Sequence, residues 1–210
     1  MEGIINFETF LLTGILLNLT PGNDTIFILG RSIAQGRKAG IMSVLGISTG
    51  SLVHTMLAAF GLSVIIAQSI LLFNIVKYAG AAYLVYMGIK MLIDRSPLNI
   101  NPVGVNTQAN YKKIYRDALV TNVLNPKVAM FFIAFLPQFI DPHFKNSILP
   151  FLLLGFSFTI TGTIWCFVLA SFSSAISANL RKNTKFSSYL NKTCGIVLIA
   201  LGVKVAMTKK

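Results

Sequence analysis

Apolar residues along this chain fall into long runs that are separated by short clusters of charge. No Asp, Glu, Lys or Arg occurs from residue 39 to 76, or from 146 to 180. A helix needs about 20 apolar residues to cross the hydrocarbon core of a bilayer, so each run is long enough for a crossing. The pattern predicts six membrane-spanning helices, at Ile4–Leu29, Ala39–Ala67, Ser69–Ile93, Ala118–Ile140, Ser147–Phe172 and Tyr189–Met207.

The predicted third and sixth helices share one spacing of lysine and glycine. Both contain Lys-x-x-Gly, an apolar middle and Gly-x-Lys, at Lys77–Lys90 and Lys192–Lys204. Because each half of the chain has three helices, an odd number, the second half must be inverted relative to the first. The sequence therefore predicts an all-α polytopic membrane fold in one domain, 1–210. We expect two inverted three-helix repeats, at about 4–93 and 118–207, joined by a polar cytoplasmic linker at 94–117.

Charge adds a prediction of orientation to this pattern. Charged residues are only 11% of the chain, whereas soluble proteins carry about 25%. Twelve of the 18 Lys and Arg lie in or beside the first, third and fifth connections. Cytoplasmic loops are enriched in such cations, so we expect these connections inside the cell and both termini outside. The cations form no basic stripe with interleaved aromatic residues, so we expect the lipid bilayer and no nucleic acid as a partner.

The first and fourth predicted helices each contain residues that break a helix. Proline removes a backbone donor and clashes with the preceding turn, and glycine lets the chain unwind at little cost. Exposed backbone is tolerated at membrane depth only where it is buried in protein or lines a cavity. Broken helices at matching positions of inverted repeats indicate the binding site of a transporter. The candidate residues of the breaks are Thr20, Pro21, Gly22 and Asn23 in the first and Asn125 and Pro126 in the fourth helix.

Two opposite charges lie beside these breaks, Asp24 and Lys127. A charge inside the membrane is costly and marks a functional residue by default. One interpretation is an ion pair that only holds the first and fourth helices together. The other is a substrate site, in which Lys127, with Asn125 next to it and freed backbone amides, binds a carboxylate. Asp24 then binds an ammonium or carries a proton.

His54 is a lone histidine on an apolar helix. It is either an interior histidine with satisfied hydrogen bonds or a proton relay, since histidine titrates near neutral pH. We expect Trp165 to have only a packing role. The Gly46-x3-Gly50 motif predicts close helix packing, either within the chain or between subunits of a homo-oligomer.

The sequence lacks the residues that other classes of membrane protein require. A metal-ion transporter requires clustered oxygen and nitrogen ligands, and the predicted helices offer one Asp and one His well inside them. We therefore expect no metal site and no cofactor. Cys166 and Cys194 are interpreted as small buried apolar residues. Catalysis would require a nucleophile with a base or a motif such as HExxH, so we expect that the protein is not an enzyme.

Several segments together resemble the LysE/RhtB family of amino-acid exporters, the homoserine, threonine, leucine and lysine efflux type. The resemblance covers about residues 5–205. Its segments are Thr20–Asp24, Gly36–Gly40, Gly46–His54, Lys77–Leu84, Asn125–Lys127 and Phe135–Phe139.

The resemblance implies a bacterial inner-membrane carrier that exports amino acids or their derivatives by proton antiport. It also implies that Asp24, the Pro21-Gly22 break, His54 and the Asn125–Lys127 segment match characteristic residues of the family. The sequence departs from the family at Asn23, where the family usually has a second proline. The alternative function is a metal-ion or other small-solute transporter of related architecture.

Overall fold

The computed structural model describes residues 3–63, 70–93, 109–144, 147–173 and 184–207. These ranges are helical apart from short connections and one antiparallel bridge between Ile4 and Ile140, which confirms the all-α prediction for this part of the chain. The α-helices are α1 Phe7–Leu19, α2 Asn23–Gln35, α3 Arg37–Leu57, α4 Ile70–Ile93, α5 Tyr111–Val123, α6 Pro126–Met130, α7 Ile148–Ser171 and α8 Thr184–Met207.

Both predicted proline breaks are present. The residue before a proline is forced out of the helical region, and both Thr20 (ψ 118°) and Asn125 (ψ 109°) are extended. The first break separates α1 from α2, and the second separates α5 from α6. After α6 the helical path continues as a π-helical turn, Phe131–Phe135, and a 3₁₀ turn that ends at Phe139. This path is bent by 45° relative to α5.

Phenylalanines fill the core between α1, α7 and the path that follows the second break. Phe10 lies 5.7 Å from Phe131, between ring centroids, and Phe131 stacks on Phe158 at 4.3 Å. A separate apolar cluster joins α2, α3 and α7 around Ile28, Leu29 and Val44. The two clusters fix both halves of the broken first helix against α7.

Glycines allow the closest helix contacts. A Cβ atom at Gly50 of α3 would lie only 2.7 Å from Asn122 Oδ1 of α5. A Cβ at Gly46 would overlap Ala118, also on α5. The Gly46-x3-Gly50 motif therefore serves packing within the chain, which is one of the two roles predicted for it.

Some helices are long and apolar enough to cross a membrane. They are Arg37–Leu62, with a mean hydropathy of 1.5, and Ile148–Ser171, with 1.9. The bent pair Tyr111–Val123 and Pro126–Phe139 adds a third candidate if it forms one span. These spans agree with a helical membrane protein.

Several predicted boundaries were wrong. α2 runs to Gln35 rather than ending at Leu29, and α8 begins at Thr184 rather than Tyr189. Part of the predicted linker 94–117 is helical, because α5 begins at Tyr111. The Asn110 side chain caps this helix by accepting a hydrogen bond from Lys113 N at 3.1 Å. Polar residues beside an apolar run do not end a helix by themselves, because a side-chain cap satisfies a free backbone N–H of its first turn. Residues 94–108 of the linker lie outside the described ranges.

Candidate functional site

A cavity with both polar and apolar side chains in its wall lies where the two breaks meet α3 and α7. Its volume is about 40 Å³, which is room for about three water molecules. Asp24 and Lys127 both line it, so the structure brings the two predicted charges to one site. The wall also includes Asn18, Asn122 and Trp165, together with hydroxyl side chains of α3 and α7.

Asp24 occupies the first turn of α2, where the positive end of the helix dipole favours a carboxylate. Its Oδ2 atom accepts a hydrogen bond from Asn122 Nδ2 at 2.9 Å. Its Oδ1 atom is buried and has no hydrogen-bond partner among the described residues. The carboxylate is therefore held on one side and has unused acceptor capacity on the other.

Lys127 is held by the carboxyl end of α1. Its Nζ atom donates to Leu17 O at 3.2 Å and to Thr20 O at 2.9 Å. The fourth residue after Leu17 is Pro21, which has no N–H, so the Leu17 carbonyl loses its helical donor. The ammonium replaces that donor, and it also complements the negative end of the α1 dipole.

His54 has the equivalent position at the second break. Its Nε2 atom lies 3.2 Å from Asn122 O, the carbonyl that Pro126 leaves without a helical donor. A carbonyl oxygen only accepts, so the ring must carry a proton on Nε2. The ring also stacks on Phe132, with centroids 5.6 Å apart. His54 contacts the break from α3, and it is not among the residues that line the cavity.

The other predicted residues shape the breaks. The Asn125 side chain caps α6 by accepting from Lys127 N at 3.0 Å, and the Thr20 hydroxyl donates to Leu16 O. Gly22 faces the Lys127 ammonium, which a Cβ there would approach to 3.4 Å. Pro21 and Pro126 make the breaks, and Asn23 is exposed at the start of α2.

Asp24 and Lys127 have different hydrogen-bond partners: Asp24 accepts from Asn122, and Lys127 donates to carbonyls of α1. The salt bridge between described residues joins Arg31 of α2 to Asp117 of α5 at 3.4 Å. Both residues lie near the ends of predicted segments, and the sequence did not predict that they pair.

Sequence reasoning left several residues out of the site. Asn18 and Asn122 were visible beside the two prolines but were not chosen. Trp165 was expected only to pack, yet it lines the cavity and its Nε1 atom is buried without a partner among the described residues. The hydroxyl pairs that join α3 to α7 gave no sequence signal. They are Ser48–Thr163 at 2.7 Å and Ser51–Thr159 at 2.9 Å.

Within the described ranges, no three His, Cys, Asp or Glu side chains lie close enough together to hold a metal ion.

Comparison with known proteins identifies relatives over nearly the whole chain. The family model of LysE type translocators matches residues 15–209. The uncharacterized membrane protein YrhP of Bacillus subtilis (strain 168) is 30% identical over 200 residues, which cover 92% of this chain and 94% of the relative. The leucine efflux protein of Salmonella typhimurium (strain LT2) is 28% identical over 204 residues, which cover 97% and 96%. No solved structure matches the chain.

Proposed function

The chain belongs to the family of LysE type translocators, membrane transporters rather than enzymes, and we propose that it exports amino acids or their derivatives by proton antiport. We also propose that it resides in the bacterial inner membrane. Relatives include leucine efflux proteins, so leucine is the first substrate to test.

The observation that carries the proposal is one cavity with Asp24 and Lys127 in its wall, each at a helix break. Charges at membrane depth are costly and mark transport pathways. An amino acid carries an ammonium and a carboxylate a few bonds apart, so a cavity with both signs of charge complements it. Asp24 attracts the ammonium, and Lys127 makes the other side attractive to the carboxylate.

Lys127 also links substrate binding to movement. Its ammonium ties the end of α1 through Leu17 O and Thr20 O. A substrate carboxylate competes with these carbonyls for the ammonium, so substrate binding weakens the hydrogen bonds between Lys127 and α1. A ligand shifts a conformational equilibrium only through different interactions with the two states, and this competition supplies such a difference. The cavity is small in this state, so admission of substrate requires its walls to separate.

Asp24 is the proposed binding site for the transported proton. The Oδ1 atom that would accept from a substrate ammonium is the same atom that would take a proton. Since the two compete for one oxygen, loading with either excludes the other, as antiport requires. His54 belongs to the proposed proton route because its ring binds the carbonyl of Asn122, the residue that holds Asp24. Asn125 fixes the second break on which this arrangement depends.

Alternating access follows from the proposed six spans in two inverted repeats. Reversed contacts between matching helices support this architecture. Gly88 of α4 approaches Gly195 of α8, and Gly202 of α8 approaches Ala81 of α4. These pairs exchange under a twofold relation between the halves. We propose that the halves rock about the cavity between the breaks.

Transport in everted membrane vesicles tests this function. Vesicles that contain the protein are acidified inside, and uptake of radiolabelled L-leucine and then of the other amino acids is followed. We expect at least one amino acid to accumulate, and a protonophore to abolish the accumulation. Vesicles from cells without the protein are the control. Accumulation that persists in the presence of the protonophore would contradict proton antiport. If no amino acid accumulates, the proposed export function is wrong.

A further inference from the structure

Three buried polar atoms in residues that line the cavity have no hydrogen-bond partner among the described residues. They are Asp24 Oδ1, Asn122 Oδ1 and Trp165 Nε1. Buried polar atoms of proteins are nearly always paired, and each exception requires an explanation. Here three exceptions belong to residues that line one cavity, and a single polar ligand bound there accounts for all three.

The three atoms differ in hydrogen-bond chemistry. Asp24 Oδ1 is an acceptor, and the indole nitrogen of Trp165 is only a donor. Asn122 also offers an acceptor, because its Nδ2 atom already donates to Asp24 Oδ2 at 2.9 Å. The reversed amide would bring two oxygens together, so this bond fixes the orientation of the side chain. The residues thus combine two acceptors with one donor.

This set complements the backbone groups of an amino acid. We propose that Trp165 Nε1–H binds the substrate carboxylate, while Asp24 Oδ1 and Asn122 Oδ1 accept from its ammonium. The inference rests on the proposed function and deepens it. It also adds a partner for the carboxylate beside Lys127, whose ammonium already donates to two carbonyls of α1. The carboxylate then has two partners: Lys127, whose bonds to these carbonyls it loosens, and Trp165, which supplies a directional hydrogen bond.

Trp165 is the only tryptophan of the chain, so its fluorescence reports on the cavity in the unmodified protein. Purified protein in detergent is titrated with L-leucine, or with the amino acid that it transports fastest. The second probe is the corresponding amine without the carboxylate, which is 3-methylbutylamine for leucine. We expect the amino acid to change the indole emission at the concentrations that saturate transport. The amine should leave the emission unchanged although it still competes for Asp24.

Trp165→Phe removes the N–H and keeps an aromatic ring, and binding to it is measured by isothermal titration calorimetry. A hydrogen bond to a charged group is worth enough that its loss weakens binding about 10- to 100-fold. We expect this loss for the amino acid and none for the amine. Phe167→Leu, an aromatic substitution on an exposed part of α7, is the matched control and should leave both affinities unchanged.

Other outcomes separate the inference from the function beneath it. If Trp165→Phe weakens both probes equally, the ring only packs and the inference is wrong. The same conclusion follows if the variant binds both normally, or if leucine binds to the wild-type protein without changing the emission. If Trp165→Phe does not fold, the wild-type fluorescence tests the inference: the amino acid must change the indole emission and the amine must not. If the wild-type protein binds no amino acid, the proposed function itself fails and the inference fails with it.

Discussion

The two proline breaks differ in the group that replaces a lost hydrogen-bond donor. Each proline leaves the carbonyl four residues earlier without its helical donor. At the first break, a charged group from the other half of the chain, Lys127, donates to Leu17 O and Thr20 O. At the second, His54 of α3 lies beside Asn122 O. Each carbonyl also keeps one backbone bond, from Thr20 N to Leu17 O at 3.2 Å and from Asn125 N to Asn122 O at 3.0 Å.

This difference makes the first break dependent on the second. The ammonium that closes the end of α1 belongs to α6, and the amide that holds Asp24 belongs to α5. A lysine at the start of a helix is unfavourable for that helix, so its position in α6 makes sense only through its contact with α1. The first break is therefore held by groups from the second half of the chain, on α5 and α6.

The largest expected effect comes from Asp24→Asn. The substitution keeps the shape of the side chain but removes its charge and its ability to bind a proton. Gradient-driven transport should therefore fall to the level of vesicles from cells without the protein. Protein yield should remain unchanged. Asp141→Asn is the control, because the Asp141 side chain accepts from His143 N in an exposed turn away from the cavity. Normal transport by the Asp24 variant would remove Asp24 from the proton route.

Lys127→Met tests the hydrogen bonds that join Lys127 to the end of α1 at the first break. Two charge-assisted hydrogen bonds to buried carbonyls are lost, so the free energy of unfolding should fall by about 2–4 kcal/mol. Urea denaturation in mixed micelles measures it, with Lys112→Met on an exposed position of α5 as the control. A variant of normal stability without transport would show instead that Lys127 acts on the substrate and not on α1.

Gly50→Ala tests how closely the second break must be held. The added methyl group would lie 2.7 Å from Asn122 Oδ1, and overpacking of this kind costs about 1–3 kcal/mol. Gly162→Ala is the counterpart beside Asn18, where the nearest contact is 3.0 Å, and should cost less. Gly30→Ala has no neighbour within 4 Å and should be harmless. Equal thermal stability of all three variants would contradict the close approach of α3 and α5.

His54→Phe is expected to have the smallest effect on stability. The ring still stacks on Phe132, and Asn122 O keeps its bond from Asn125 N, so the loss should be about 1 kcal/mol. His143→Phe, at the other histidine of the chain, is the control because that side chain is exposed. If the His54 variant transports with undiminished proton coupling, His54 is a structural residue and not a relay.

Much of this site could be predicted because its signals are local. A proline stops a helix wherever it occurs, and a charge within an apolar run is visible in the sequence. Asn122 and Trp165 were missed because an amide or an indole in an apolar helix is compatible with packing alone. Only the neighbours of their polar atoms distinguish the two roles. The start of α5 was missed because its cap lies among polar residues that also suit a linker.

The sequence by itself determined that the chain is helical, that it is built for a membrane, and where two helices break. These properties follow from hydropathy and backbone chemistry within a few residues. The tertiary structure decided which groups meet: Lys127 binds the end of α1, Asp24 binds Asn122, and Arg31 pairs with Asp117. Hydrogen bonds form only within a few tenths of an ångström of their ideal length. Helix packing sets those distances, and a one-dimensional pattern does not contain them.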